Sequence, residues 1–221
     1  METNADYNYT NARTNMVNEQ IKARGIKSKK LLTTFLRVPR HLFIPKEYSL
    51  YSYSDGPLPI GEDQTISQPY IVALMTDLLD LQKGDKVLEI GTGCGYQTAI
   101  LSDLGCRVYT IEIIESLGLR AKETLDNLGY ENINFKIGDG YQGWKEKSPF
   151  DAIIVTACPK VLPKPLVDQL KIGGRMVIPL EEEYQELKLI IKEKSGLTKK
   201  RITLVRFVPM TGEAENASYN V

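Results

Sequence analysis

The residues with the clearest chemical potential lie in VLEIGTGCGYQTA, 87–99, where an apolar run breaks into three alternating glycines, Gly91, Gly93 and Gly95, before a helix-forming stretch. Glycine lets the backbone approach a ligand closely, and a helix start offers unpaired N–H groups with a partial positive charge. The spacing is GxGxG. A dinucleotide fingerprint needs glycine at the sixth place, and Tyr96 stands there. Two acids fall where strands are predicted to end. Glu112 closes RVYTIE, where a carboxylate can accept hydrogen bonds from both hydroxyls of a ribose. Asp139 follows INFKIG, where it can accept an adenine amino group while the Gly140 backbone approaches the ring. Glu89, in the apolar run just before the glycines, is counted with the binding residues. Ligands settle at the carboxyl ends of parallel strands, so these groups should converge on one crevice suited to an adenosyl ligand, with no phosphate-binding Arg or Lys required.

The elements that must position them are readable from periodicity. Short apolar runs KVLEI, RVYTIEI, INFKI and DAIIVTA alternate with helix-length stretches over 97–104 and 116–128. That alternation predicts an α/β fold: a Rossmann-like, doubly wound, mostly parallel sheet with helices on both faces. After a helix over 163–170, the runs GGRMVIPL, QELKLIIKE and RITLVRFVP are separated by turn-length gaps, Ser195-Gly196 being the clearest, and should close the sheet with an antiparallel hairpin. Upstream, apolar residues recur at helical spacing over 16–36 around a break at Gly25, and a helix is predicted over 69–81 with Pro69 in its first turn. Between them, SDGPLPIGEDQTISQPY is rich in Gly and Pro and reads as an irregular functional loop. The first fifteen or so residues are polar and lack periodicity, so they should fray or await a partner surface. The chain divides into a helical and loop region (1–82), a cofactor-binding core (83–212) and a short polar tail (213–221).

Composition narrows the function classes. The 28 basic and 28 acidic residues cancel, and no global positive field is available for a phosphate backbone, so nucleic acid is not the expected partner. Cys94, Cys106 and Cys158 form neither a metal knuckle nor a disulfide framework, no metal is expected, and a reducing cytoplasm suits them. No apolar stretch is long enough to span a bilayer, and the N-terminal residues do not read as a signal peptide. His41, the only histidine, sits among apolar residues and reads as packed structure. Tyr141 and Trp144 follow the Asp139 loop and can line an adenine pocket or enter the core. The basic run over 192–201 reads as a solvated hairpin turn.

Taken together, the glycine loop, the acids and the upstream loop resemble a known family. VPRHLFIP (38–45), DGPLPIGEDQTISQPYIVALM (55–75), LEIGTGCGYQTA (88–99), IGDGYQGW (137–144), FDAIIVTA (150–157), LKIGGRMVIPL (170–180) and VRFVPMTG (205–212) look like the protein-L-isoaspartate O-methyltransferases, within the class I methyltransferases. The run QTISQPY is the most diagnostic. The resemblance implies S-adenosylmethionine as cofactor and isoaspartyl peptides and proteins as acceptors. It places the family's active-site serine on Ser67. Ile60, Gly61, Gln64, Thr65, Ile66 and Gln68 then form a substrate loop over 59–68 that closes on cofactor and peptide. Thr211 is a candidate neighbour of the ligands. Read without that resemblance, Ser67 is an N-cap for the helix opening at Pro69. A methyltransferase of the same fold acting on RNA or a small metabolite, or a module that binds the cofactor without turnover, shares the glycine loop, Glu112 and Asp139. Those alternatives stay open on the residues alone.

Overall fold

A computed structural model describes residues 4–217 of the chain. Its N-terminal part is helical: α1 (Asn4–Asn15) runs into a turn over Met16–Ile21, Gly25 breaks the path with φ 98°, and α2 (Lys29–Arg37) follows. The break is where the sequence places it, because glycine takes that left-handed conformation without strain. Ser28 caps α2, its hydroxyl accepting from the Leu31 N–H. The expectation of a frayed arm fails over 4–15. The Tyr9 ring stacks on His41 with centroids 4.1 Å apart, and Met16, Val17 and Ile21 just beyond are buried. Tertiary docking thus orders a helix that its own composition does not specify. The expectation also covered 1–3, which lie outside the described residues, as do 218–221 of the polar tail.

The Gly- and Pro-rich stretch is more regular than expected. It forms an antiparallel hairpin of β1 (Leu58–Gly61) and β2 (Gln64–Ile66), turned by Glu62 and Asp63 at φ 54° and 55°. Positive φ at both central residues matches the twist of paired strands. Ile60 and Ile66 are buried beneath it. α3 (Pro69–Leu78) then starts at the predicted Pro69 and stops short of residue 81.

Beyond it, β3 (Lys86–Ile90), α4 (Tyr96–Asp103), β4 (Arg107–Glu112), α5 (Glu115–Asn127), β5 (Ile133–Ile137), β6 (Phe150–Val155) and α6 (Lys164–Gln169) alternate as predicted. β7 (Leu170–Glu181), β8 (Gln185–Glu193) and β9 (Gly196–Leu204) complete the sheet. Its order is β5-β4-β3-β6-β7-β8-β9, parallel from β5 to β7 and antiparallel for the last two pairs. Successive side chains point to opposite faces, and each face is covered. Val87, Ala152 and Ile154 join one apolar cluster with Phe35, Met75, Ile100 and Leu125. Leu88, Ile90, Ile153 and Val155 join the other with Leu166 and Met176. Phe35, fully buried, contributes roughly 2 kcal/mol by removing its ring from water. The N-terminal helices therefore share one core with the sheet.

The last predicted strand, 201–209, needs correction. β9 begins earlier, at Gly196, because pairing with β8 continues to the turn, and it ends at Leu204. Gln185 then replaces the ladder: its carbonyl accepts from Val205 N–H (3.0 Å) and its side-chain oxygen from Phe207 N–H (2.6 Å). The chain bends away and returns to the end of β6, where Cys158 N–H donates to the Val208 carbonyl (2.8 Å) and Met210 N–H to the Cys158 carbonyl (2.9 Å).

Candidate active site

The chain winds outward from β3 through β4 to β5 and then returns to β6 on the other side of β3. Such a reversal opens a crevice at the carboxyl ends of the strands. The glycine loop falls there. Gly91 has φ 91°, and a Cβ on it would stand 2.3 Å from the Thr156 hydroxyl oxygen. That hydroxyl, at the end of β6, lies 2.8 Å from the Gly91 carbonyl and 2.9 Å from the Ile90 carbonyl, so it pins the loop where it leaves β3. Gly140 is equally constrained, since a Cβ would meet Ile90 Cγ2 at 2.4 Å. Side chains are thus excluded from both walls of the crevice.

Glu112 ends β4 with 5 % of its surface exposed. One carboxylate oxygen accepts the Gly93 N–H (2.7 Å) and the other the Ile114 N–H (2.9 Å). Two backbone bonds orient the group and leave each oxygen a further lone pair for a hydroxyl donor. Ile90, Gly91, Gly93, Glu112, Ile113, Gly140 and Thr156 line a cleft, roofed by Ile60, Gln64 and Thr65 and closed by 208–211. The lining includes no Lys, Arg or His. An adenosyl group with a free ribose suits such walls, whereas a pyrophosphate would lack a cation.

Two further cavities join this cleft. A small chamber lies between Ser67, Thr65 and Ile66 on one side and Gly91, Gly93, Cys94 and Tyr96 on the other. A wider groove is lined by Ser67, Gln68 and Ile71 and by 204–208. Thr65 and Thr156 line all three. Ser67 faces the chamber and the groove. It does not cap α3: Gln68 holds the N-cap position, without a side-chain cap bond. The capping alternative is therefore set aside.

The structure brings Gly91, Gly93, Glu112, Gly140, Ile60, Gln64, Thr65, Ile66, Ser67 and Gln68 to these cavities. Four other candidates sit differently. Gly95 starts α4 with φ 89° and packs against Leu125, where a Cβ would come within 2.9 Å; it shapes the turn. Gly61, with φ 88°, lines a separate groove beside Arg120 on the far side of the hairpin. Asp139 lies beside the cleft without lining it. Its oxygens accept the Tyr141 N–H (2.8 Å) and the Glu213 N–H (2.7 Å), which seats the turn over Gly212–Glu215 and buries Ala214.

Glu89 is fully buried behind the loop. One oxygen accepts from the Thr98 and Thr110 hydroxyls (2.6 and 2.7 Å), and the other has no partner among the described residues. Thr110 also bonds Thr92 in the glycine loop (2.6 Å). Burial outweighs these donors and lifts the Glu89 carboxyl to about 8, so it holds its proton at neutral pH.

Sequence reasoning passed over Thr156 and the returning segment 205–210. The first is one hydroxyl at a strand end, and the second read as strand. Thr211, noted as a candidate neighbour, does line the cleft. His41 is packed between Tyr9 and Tyr53, its Nδ1 2.8 Å from the Tyr53 hydroxyl. The Cys94 thiol is pushed up to about 11 by burial and is a packing group. Trp144 packs edge-on to Tyr109 and takes its place in the second apolar cluster.

Comparison with known proteins gives one consistent match. Residues 11–215 match the family model described as Protein-L-isoaspartate(D-aspartate) O-methyltransferase (PCMT). A protein-L-isoaspartate O-methyltransferase of Trichlorobacter lovleyi is 53% identical over 208 residues, covering 93% of this chain and 96% of that one. The corresponding protein of Gloeobacter violaceus is 47% identical over 200 residues, covering 90% and 98%. A solved protein-L-isoaspartate O-methyltransferase superposes with a TM-score of 0.85 at 34% identity, covering 91% of this chain and 67% of that one. A Plasmodium falciparum structure described in the same terms, in complex with S-adenosyl-L-homocysteine, superposes at 0.79 with 30% identity, covering 90% and 98%.

Proposed function

Because the chain belongs to the protein-L-isoaspartate(D-aspartate) O-methyltransferase family, we propose that it transfers the methyl group of S-adenosylmethionine to the free carboxylate of L-isoaspartyl residues in damaged peptides and proteins. The observation that carries the reading is the meeting of three cavities at Thr65 and Thr156. A cation-free cleft suits the adenosyl group, a small chamber joins the glycine loop to Ser67, and a wide groove can admit a peptide chain.

S-adenosylmethionine, when bound, supplies a methyl group on a positively charged sulfur. Glu112 would hold the ribose hydroxyls, the Gly91 and Gly93 backbone the amino-acid half, and Gly140 with Ile113 the adenine. Asp139 serves this site through the turn that it seats, and Glu89 supports the loop from behind. Ile66 walls the chamber and Ile60 roofs the cleft, apolar surfaces that limit water at the reacting atoms. Their hairpin is latched to α5 by Arg120, which donates to the Ile60 carbonyl (3.0 Å), and by Ser116, which donates to Glu62 (2.7 Å).

The acceptor is ionised at neutral pH, so this chain need not remove a proton. Ser67 orients the acceptor by donating its hydroxyl hydrogen to one carboxylate oxygen, which leaves the other free to face the methyl donor. Alignment of reacting atoms in a walled chamber is the main source of rate. Arg206, exposed beside the groove, draws the anion in. In the product the carboxylate is a methyl ester. The neighbouring backbone nitrogen can then attack the ester carbonyl, expel methanol and close a succinimide without help from the protein.

The test uses radiolabelled S-adenosylmethionine with a matched pair of peptides, one isoaspartyl and one aspartyl. Base-labile methyl ester should appear on the isoaspartyl peptide alone. Equal labelling of the two would sink the assignment.

A further inference from the structure

Arg40 is fully buried and is among the largest side chains so buried in the described residues. A cation in that position is expensive, because burial strips its hydration, and it survives only when its surroundings compensate. No Asp or Glu among the described residues pairs with it. Its partners are neutral and come from three separate segments. Nε donates to the Ser52 carbonyl (2.8 Å), Nη2 donates to the Ser67 carbonyl (2.8 Å), and the guanidinium lies over the Tyr96 ring, 5.0 Å from its centroid. Nη1 is buried with no partner among the described residues. An apolar side chain of similar volume would fill the space without these costs, so packing alone does not account for an arginine there.

What the guanidinium joins is informative. Ser67 faces the chamber and the acceptor groove, Tyr96 opens α4 directly after the glycine loop and walls the same chamber, and Ser52 belongs to the segment ahead of the β1–β2 hairpin. Arg40 lines none of the three cavities and touches no space where a ligand sits. A planar fork with fixed donor directions can hold two carbonyls and a ring face in one arrangement. A lysine keeps the charge but cannot reproduce that geometry.

We propose that Arg40 is a positioning residue for methyl transfer: by clamping the Ser67 carbonyl while resting on Tyr96, it sets the Ser67 hydroxyl against the glycine-loop side of the chamber. The inference rests on the reading of Ser67 as the acceptor-orienting group. Its hydrogen bond goes to the acceptor end, and the Gly93 and Ile114 bonds that hold Glu112 do not pass through it, so cofactor affinity should change little although Tyr96 adjoins the glycine loop.

The experiment is a double-mutant cycle on the full chain with Arg40→Lys and Ser67→Ala, singly and together. It reads kcat and KM for an isoaspartyl peptide and the Kd of S-adenosylhomocysteine. Arg40→Lys should lower kcat/KM on the order of tenfold, the scale of one charge-assisted hydrogen bond, and leave the S-adenosylhomocysteine Kd within about twofold. In the Ser67→Ala background the same change should cost no more than about twofold, since residues acting as a unit are not additive. If Arg40→Lys does not fold, Arg40→Gln, which is neutral and keeps two donors, runs through the same cycle and is judged by the same coupling. A tenfold loss in both backgrounds, or a parallel loss of S-adenosylhomocysteine binding, overturns the role given to Arg40. Undiminished turnover by Ser67→Ala overturns the acceptor-site reading itself, and the inference with it.

Discussion

Glu89→Gln should change how the stability of the protein depends on pH. In the unfolded chain this carboxyl has its ordinary value near 4.5, and in the folded protein burial holds it at about 8 despite the Thr98 and Thr110 hydroxyls. Below pH 4.5 it is protonated in both states and costs nothing. Between pH 4.5 and 8 the unfolded chain releases the proton while the folded one keeps it, so the native state binds more protons and stability falls as pH rises. Each pH unit in that window costs about 1.4 kcal/mol, so the whole window is worth up to about 5 kcal/mol, with water penetration reducing the realised figure. Above pH 8 the loss is complete. Glutamine keeps an acceptor for the two threonines and has no charge to bury. Urea unfolding of the ligand-free protein from pH 5 to 9 measures the effect, and every other titrating group is common to both proteins. The wild type should lose several kcal/mol relative to Glu89→Gln between pH 5 and 8, as a difference in slope. Parallel curves would show that the carboxyl ionises freely where it sits, and would refute the account of its burial.

Two other substitutions probe the cofactor cleft. Gly91→Ala puts a methyl group 2.3 Å from the Thr156 hydroxyl oxygen at φ 91°, so it should cost roughly 2 kcal/mol or more in a thermal or urea melt and abolish calorimetric S-adenosylhomocysteine binding. Glu112→Gln turns one of two acceptor oxygens into a donor facing the Gly93 or Ile114 N–H, so the S-adenosylhomocysteine Kd should rise about 10- to 100-fold. Calorimetry with a KM measurement for the isoaspartyl peptide checks that the effect stays on the cofactor side.

Local grammar is legible in the residues alone. The alternation of apolar runs and helices specifies the parallel sheet, and the glycines specify a close approach at the end of β3. β8 is legible residue for residue because its apolar positions and flanking turns agree. RVYTIE placed Glu112 at a strand end because that signal resides in consecutive residues, whereas Ser67 was singled out only through the likeness of QTISQPY to the family.

The tertiary structure decided which of these polar groups is available to a ligand. Glu89 and Glu112 are both carboxylates near strand ends, yet one is sealed behind the loop on two threonine hydroxyls and the other opens on the cleft. Asp139 stands beside the cleft rather than in its lining, where it seats a turn through the Glu213 N–H, distant in sequence. The bend after Leu204 depends on the Gln185 side chain, and the order of α1 involves His41, stacked on Tyr9. Backbone period and turn chemistry act over a few residues and are written consecutively. Lone pairs, burial and proton affinity are set by whichever remote segment packs against them, and only the folded chain brings that segment into place.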